Sequence, residues 1–432
     1  MQLQANVAEV PVWRNRNFIS LWLGTVCSAV GDSSIYILLS WFIVDVTGSE
    51  AVLGTALLCM SLPRLVFMLF GGVIADRFNR KLVLGLSLMA RAIVIGLFSL
   101  FLLAGENEWL APAIYVMSVA FGIVDSFFWP ARSSIVPQVI PKERLSTANS
   151  IMETSQQVSN IIGPLFASLL LYSKNYPLMF ATIAAVFLLS VIAILSLRIT
   201  HISDERPNQS AASSIVHDTL EGIRYVKPIR SIVIILFISL FFNVTFMGPL
   251  SIGLPMLIKQ MSWDGTFFGY LQGAIGVGAI IGALITGLSK GFRGYYNPII
   301  PLFAGLIGMA MVGVSFMSSL PYGLGAMLMI GICLSIINIP IFTYIQTIVE
   351  DRMLGRVMSL LTLMSSGLGP VSYAMSAFLL QQHLATPDLL IMGGGICMAM
   401  MGFSTILLKD LRQMEQHPAW RQVHAKTNQE AS

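Results

Sequence analysis

Charge is what this chain has least of. Lys, Arg, Asp and Glu make up 11% of its 432 residues, against about 25% in a soluble globular protein. A chain so poor in charge cannot cover a water-soluble fold of this size. Cysteine is nearly absent too. The four that exist, Cys27, Cys59, Cys333 and Cys397, all fall in apolar stretches, where they act as small apolar side chains and supply no disulfide framework. The five histidines, His201, His217, His383, His417 and His424, lie outside those stretches or at their edges. No Ser/His/Asp set and no metal-ligand cluster is spaced to form, so neither a cofactor nor a metal is expected. A membrane-embedded enzyme, such as an acyl or lipid transferase, would need the convergent catalytic set that is missing. No Gly-rich loop ends in Lys-Ser or Lys-Thr, which leaves ATP-driven pumping without support. The first apolar block is too long for a cleavable signal peptide and lacks a small-residue cleavage site.

Apolar residues are what the chain has in excess, at 56%. They come in blocks of about 20 or more, each long enough to cross a bilayer core of roughly 30 Å. Twelve spans are predicted, near 18–44, 51–75, 82–104, 110–131, 147–172, 177–198, 231–257, 266–289, 297–318, 321–348, 357–381 and 387–408. The expected fold is an all-α integral membrane protein whose partner is the lipid bilayer. Lys and Arg set its orientation. With both termini cytoplasmic, 21 of the 25 bases face inward, Lys174 and Lys259 face outward, and Arg64 and Arg91 lie within spans. The net charge of +4 then reflects topology, and no nucleic-acid partner is expected.

The longest break in the apolar pattern is 199–230. It begins polar and turns amphipathic from Ser213, with Val216, Leu220, Ile223 and Val226 near one helical face, which suits an interfacial helix. Six spans precede it and six follow. The predicted organisation is a cytoplasmic segment 1–17, a six-helix bundle 18–198, the linker 199–230, a second bundle 231–408 and a cytoplasmic tail 409–432. A weak echo relates the halves. Pro130 leads an apolar run to Val139, and Pro340 leads one to Val349, 210 residues later.

Between the second and third spans stands Gly72-Val73-Ile74-Ala75-Asp76-Arg77-Phe78-Asn79-Arg80-Lys81. Bases are expected on an inner loop, but an acid weakens that topogenic signal, so Asp76 asks for another reason. This segment resembles the loop signature Gly-x-Leu-Ala-Asp-Arg-x-Gly-Arg-Lys of the major facilitator superfamily of secondary transporters. Ile74 stands for Leu, and Asn79 stands for the second Gly, a position where Asn tolerates left-handed backbone. More of the chain resembles the drug:proton antiporter branch typified by macrolide efflux pumps and siderophore exporters. The matching segments are Phe18-x-x-Leu21-Trp22-x-Gly24, Ser28-x-x-Gly31-Asp32, Leu145-x-x-Ala148-Asn149-Ser150, Glu221-Gly222-Ile223-Arg224-Tyr225 and Gly355-Arg356-Val357. The branch's fifth span has a Gly-rich ending, whereas here Gly163-Pro164 is followed by Leu165-Phe166-Ala167-Ser168. The resemblance implies two parallel six-helix pseudo-repeats around a cavity lined by spans one, four, seven and ten. It also implies a gate in which Gly72, Asp76, Arg77, Arg80 and Lys81 engage the start of span eleven near Gly355 and Arg356.

A charge at the bilayer centre costs roughly 2.5–3.5 kcal/mol on insertion scales. The second half has none within its predicted spans, whereas the first has Asp32, Arg64, Arg91, Asp125 and Glu153. Asp32, Asp125 and Glu153 are therefore candidates for proton coupling, and Arg64 and Arg91 for buried counter-ions. Thr25, Ser28, Asp32, Tyr36 and Ser40 share one helical face, as do Tyr115, Ser118, Gly122, Asp125 and Trp129. Depth along the spans pairs Asp32 with Arg64 and Arg91 with Asp125. Ser28, Tyr36, Tyr115, Ser118, Trp129, Asn243, Phe246, Asn338, Phe342 and Gln346 are candidate cavity-lining residues. Gly269/Gly273 and Gly278/Gly282 are spaced for close helix packing. The expected function is proton-coupled efflux of a small amphipathic molecule by a monomer working through alternating access. The alternative is export of one endogenous metabolite, such as a siderophore.

Overall fold

The computed structural model describes residues 12–77, 79–105, 108–141, 144–198, 221–289 and 296–407. Its regular elements are all helical, and each of the apolar stretches falls on a helix. The order is α1 (Arg16–Thr47), α2 (Glu50–Arg77), α3 (Arg80–Ala104), α4 (Leu110–Asp125), α5 (Phe128–Val139), α6 (Leu145–Leu171) and α7 (Tyr176–Leu195). Then come α8 (Arg230–Gly248), α9 (Leu254–Gln260), α10 (Gly265–Leu288), α11 (Tyr296–Ser315), α12 (Leu320–Ile348), α13 (Asp351–Ser366), α14 (Gly369–Gln381) and α15 (Pro387–Ser404). With the broken pairs joined, ten of these are long and apolar enough to cross a membrane. α6 is not among the ten, and α11 contributes the shorter apolar segment Ile299–Ser315.

Local sequence sets the helix ends. Asn15, Asn175 and Asp264 cap α1, α7 and α10 by accepting backbone N–H groups, which satisfies donors that a helix start leaves unpaired. Gly48 and Gly105 close α1 and α3 at φ values of 62° and 74°, where a Cβ would be strained. Asn79 departs from expectation. Its φ is −58°, not left-handed, and its side chain caps α3 by accepting from Lys81 and Leu82 N–H. The amide is selected there as a cap, not for its tolerance of unusual backbone.

Three spans are broken where continuous helices were predicted. The fourth divides at Ser126–Phe127, and Pro130 sits in the first turn of α5, where a missing N–H costs no intrahelical bond. The helix therefore runs on to Val139, beyond the expected end at 131. The eleventh begins early, at Asp351, and divides before α14, with Pro370 again in the first turn. In the seventh, Pro249 opens a five-residue π-helical turn, Pro249–Gly253. The echo between halves is inexact at the helix ends: Val139 is the last residue of α5, whereas Val349, 210 residues on, is extended at a ψ of 133°, and α12 continues through Pro340 without a break.

Two compact units emerge, one within 1–48 and 55–212, the other within 49–54 and 213–432. In the first, α7 packs against α1 and α3, and α6 lies along α1. Phe42, Phe98 and Phe180 interlock edge-to-face at 4.9–5.8 Å and join α1, α3 and α7. In the second unit, α10 crosses α12, and α11 packs against α12 and α15.

Candidate functional site

Four charged side chains of the first unit meet in its apolar interior. Arg91, on α3, has no solvent-exposed side-chain surface. Its Nη1 donates to both carboxylate oxygens of Asp32 at 2.8 and 2.9 Å and to Ser28 Oγ at 3.1 Å. Its Nη2 is ion-paired with Asp125 Oδ1 and lies 3.4 Å from the Asp125 carbonyl. Arg64, on α2, pairs through Nε with Asp125 Oδ2 at 2.9 Å and reaches Tyr36 at 3.3 Å. Two acids and two bases therefore form one connected, formally neutral cluster spanning α1, α2, α3 and α4. Phe121, Phe128 and Phe187 surround the Arg91 guanidinium at 4.6–5.8 Å from their centroids. Phe128 reaches it because α5 restarts just after Asp125.

The pairing predicted from depth is half correct. Arg91 does meet Asp125, but Arg91 also takes Asp32, and Arg64 goes to Asp125. A turn of helix rises about 5.4 Å, and a long arginine bridges acids at different depths, so depth alone does not choose a partner. Nor is the cluster uniformly sealed. The Asp125 side chain is buried, while that of Asp32 is 22% exposed and that of Arg64 34%.

The polar stripes are less open than expected. Thr25, Ser28, Ser40 and Ser118 are buried. Ser28 Oγ lies 3.3 Å from Asp32 Oδ2 and so belongs to the cluster, whereas Thr25 Oγ1 donates to the Leu21 carbonyl of its own helix at 2.7 Å. Ser118 Oγ has no hydrogen-bond partner among the described residues. Tyr36, Tyr115 and Trp129 are half-buried. In the second unit, Asn243 and Phe246 are buried, and Phe246 stacks on Phe242 at 4.8 Å. Asn338, Phe342 and Gln346 are exposed.

Glu153 stands outside the cluster. Its side chain is 65% exposed and pairs at 3.5 Å with Arg132, whose side chain is 6% exposed. Arg132 is a buried charge just beyond the predicted end of the fourth span at 131. Its guanidinium covers the Trp129 ring at 4.7 Å. A second missed feature is the polar face of α6. Asn149, Ser150, Glu153, Gln157 and Asn160 are all exposed on one side of that helix. The signal was present in the unusual run of polar residues through 149–160, and it explains why α6 falls short of the apolar spans.

Of the gating segment, Gly72, Asp76 and Arg77 belong to the last turns of α2. The roles expected of the Asp76 and Arg77 side chains lie outside the described residues. Arg80 donates to the Ser134 carbonyl at 3.2 Å, and Lys81 to the Leu197 carbonyl at 2.6 Å. These bases bind carbonyls on α5 and just beyond α7, so they do more than mark topology. Gly355 is exposed on α13, and Arg356 pairs with Glu221 at 3.2 Å. Most of the predicted interfacial helix lies outside the described residues. Its end, 221–226, is helical and docks within the second unit, where Tyr225 Oη accepts from Glu350 N–H at 3.2 Å and Val226 is buried.

Comparison with known proteins agrees with this architecture. The chain is 25% identical to macrolide efflux protein A of Streptococcus pyogenes over 373 residues, covering 83% of this chain and 88% of that protein. It is 26% identical to the enterobactin exporter EntS of Escherichia coli over 301 residues, 69% of each. The crystal structure of the nucleoside transporter NupG superposes with a TM-score of 0.69 at 12% identity, covering 93% of this chain and 98% of that one, which shows a shared fold. The family model of the Major Facilitator Superfamily matches residues 21–374. With its apolar helices and its efflux relatives, the chain is a multi-pass membrane transporter, not an enzyme, and belongs to the Major Facilitator Superfamily.

Proposed function

We propose that this transporter exports a small amphipathic molecule in exchange for protons, and that Asp32 is the residue that takes up and releases the proton. The chain crosses the membrane twelve times in this reading, as bundles 18–198 and 231–408 with both termini cytoplasmic, and it works as a monomer. The observation that carries the proposal is the asymmetry within the neutral cluster. Asp125 is buried and answered by two arginines, which commits it as their counter-ion. Asp32 shares one of those arginines and keeps a partly open side. Protonating Asp32 removes its claim on Arg91 and leaves the cluster with a net positive charge, a change that a conformational step can use. A static clamp between helices needs one acid and one base, not four groups with one side open.

The efflux and exporter relatives support outward transport of a small molecule. Export of a single endogenous metabolite is the second reading, favoured by the enterobactin exporter. In everted vesicles, a proton gradient is expected to drive ethidium accumulation that an uncoupler collapses. Asp32→Asn is expected to abolish that accumulation while ethidium still binds. Undiminished gradient-driven uptake in Asp32→Asn would remove Asp32 from the mechanism.

The conformational latch of this reading is Asp76. Asp76→Ala is expected to slow transport and shift the balance of states without weakening substrate binding. Weakened binding at a normal turnover rate would show that the segment is no latch.

A further inference from the structure

The short helix 221–226 has two unlike faces. Gly222 and Val226 are buried within the second unit. A Cβ on Gly222 would stand 3.5 Å from Arg356, so this helix lies directly on α13. Two polar contacts fix it there. Tyr225 Oη accepts from Glu350 N–H at 3.2 Å, and Glu221 pairs with Arg356 at 3.2 Å. The other face carries Ile223 and Arg224, both exposed, and Lys227 and Arg230 follow, exposed as well. A tight turn holds them in place. Lys227 N–H donates to the Ile223 carbonyl at 2.9 Å, and Ile229 N–H to the Val226 carbonyl at 2.8 Å. The side chains of Arg224, Lys227 and Arg230 make no hydrogen bond or ion pair among the described residues. Lys81 and Arg132, by contrast, are answered by a carbonyl and a carboxylate.

Depth and charge choose the occupant. Arg230 is the first residue of α8, whose apolar run follows at once. The three cations therefore stand at the rim of the hydrocarbon, at the level of lipid phosphates. Ile223, 43% exposed among them, suits a helix that lies in the interface with its apolar side chain towards the acyl chains. We propose that Ile223, Arg224, Lys227 and Arg230 form a binding surface for anionic phospholipid headgroups, and that the occupied surface steadies the start of α13 through Glu221 and Tyr225. Lipid phosphates relieve the repulsion among three like charges, and salt screens the attraction. The binding is independent of Asp32. Only its assignment to the cytoplasmic leaflet rests on the orientation proposed above.

Hydrogen–deuterium exchange of the full chain in nanodiscs tests this. The discs hold phosphatidylcholine alone or with increasing phosphatidylglycerol. Phosphatidylglycerol is expected to slow exchange in 221–229 and in 351–357, and high salt to reverse the effect. Lys227→Gln is expected to raise the phosphatidylglycerol fraction needed for half-maximal protection roughly fivefold, the conversion of about 1 kcal/mol per base near an anionic surface. Arg224→Gln/Lys227→Gln/Arg230→Gln is expected to lose the response in both segments. Glu221→Gln is expected to keep it in 223–229 and to lose most of it in 351–357, because it cuts the link and spares the surface. Asp32→Asn is expected to respond as the wild type does, so failure of proton coupling and failure of this site are told apart. No response in the wild type, an undiminished response in the triple variant, or an equal response to soluble glycerophosphoglycerol would overturn the lipid site. A full response at 351–357 in Glu221→Gln would overturn its link to α13. The three bases are exposed, so their variants are expected to fold.

Discussion

Arg91→Met is expected to destabilise the protein by about 3–5 kcal/mol, the usual penalty for removing one partner of a buried ionic group. The methionine fills much of the same volume and suits the ring of Phe121, Phe128 and Phe187. What it cannot do is answer the Asp32 and Asp125 carboxylates that now converge on the guanidinium. Asp125 would keep Arg64, but Asp32 would lose the partner that holds both its oxygens. Arg91→Lys is expected to fall between the two, because one ammonium cannot reproduce a fork whose separate nitrogens bind separate acids. The decisive comparison is the double variant Asp32→Asn/Arg91→Met. It restores most of the lost stability, since the Arg64–Asp125 pair that remains is neutral, but it does not restore gradient-driven transport. Unfolding titrations in mixed micelles measure the stabilities. An Arg91→Met protein within about 1 kcal/mol of wild type, below the range for breaking a buried pair, would mean that the cluster does not hold the fold.

Gly331→Val is expected to prevent the chain from accumulating in a folded, monodisperse form. A Cβ at Gly331, on α12, would strike the backbone of Ile275 and Ala279 on α10. In return, side chains at Gly278 and Gly282 would strike the backbone of Leu328 and Ile332. The three glycines therefore let two helix backbones touch. The contact is tied by Ser335 Oγ, which donates to the Ala279 carbonyl at 2.7 Å. Backbone cannot step aside as a flexible side chain can, so overpacking is expected to cost about 3 kcal/mol or more. Gly325 supplies the control on the same helix. It is exposed with open space around it, so Gly325→Ala is expected to be neutral or mildly stabilising. Fluorescence-detected size exclusion of a tagged chain reads both outcomes. A sharp monodisperse peak for Gly331→Val would show that the crossing can relax.

The spacing of Gly278 and Gly282 was readable as a packing motif, but their partner Gly331 was not, because nothing local says which helix lies opposite. The same division runs through the candidate site. Asp32, Arg64, Arg91 and Asp125 stood out because ionisable residues are rare in apolar spans. Their pairing did not, since it depends on helix rotation and on the break after Asp125. Arg132 escaped notice because the fourth span was drawn to end at 131, whereas a proline in a first helical turn lets the helix run on to Val139. The polar face of α6 was visible as composition, but its exposure only became evident once the buried side of the helix was known.

By itself, the sequence determined where the helices lie and that the protein lives in a bilayer. These are local consequences: a hydrocarbon layer about 30 Å thick requires a certain apolar length, and backbone groups within it must be satisfied inside the segment. Only the tertiary structure decided which charges meet, which serines are sealed away and which carboxylate keeps an open side. Those facts depend on how neighbouring helices rotate, break and approach, and distant parts of the chain set that jointly.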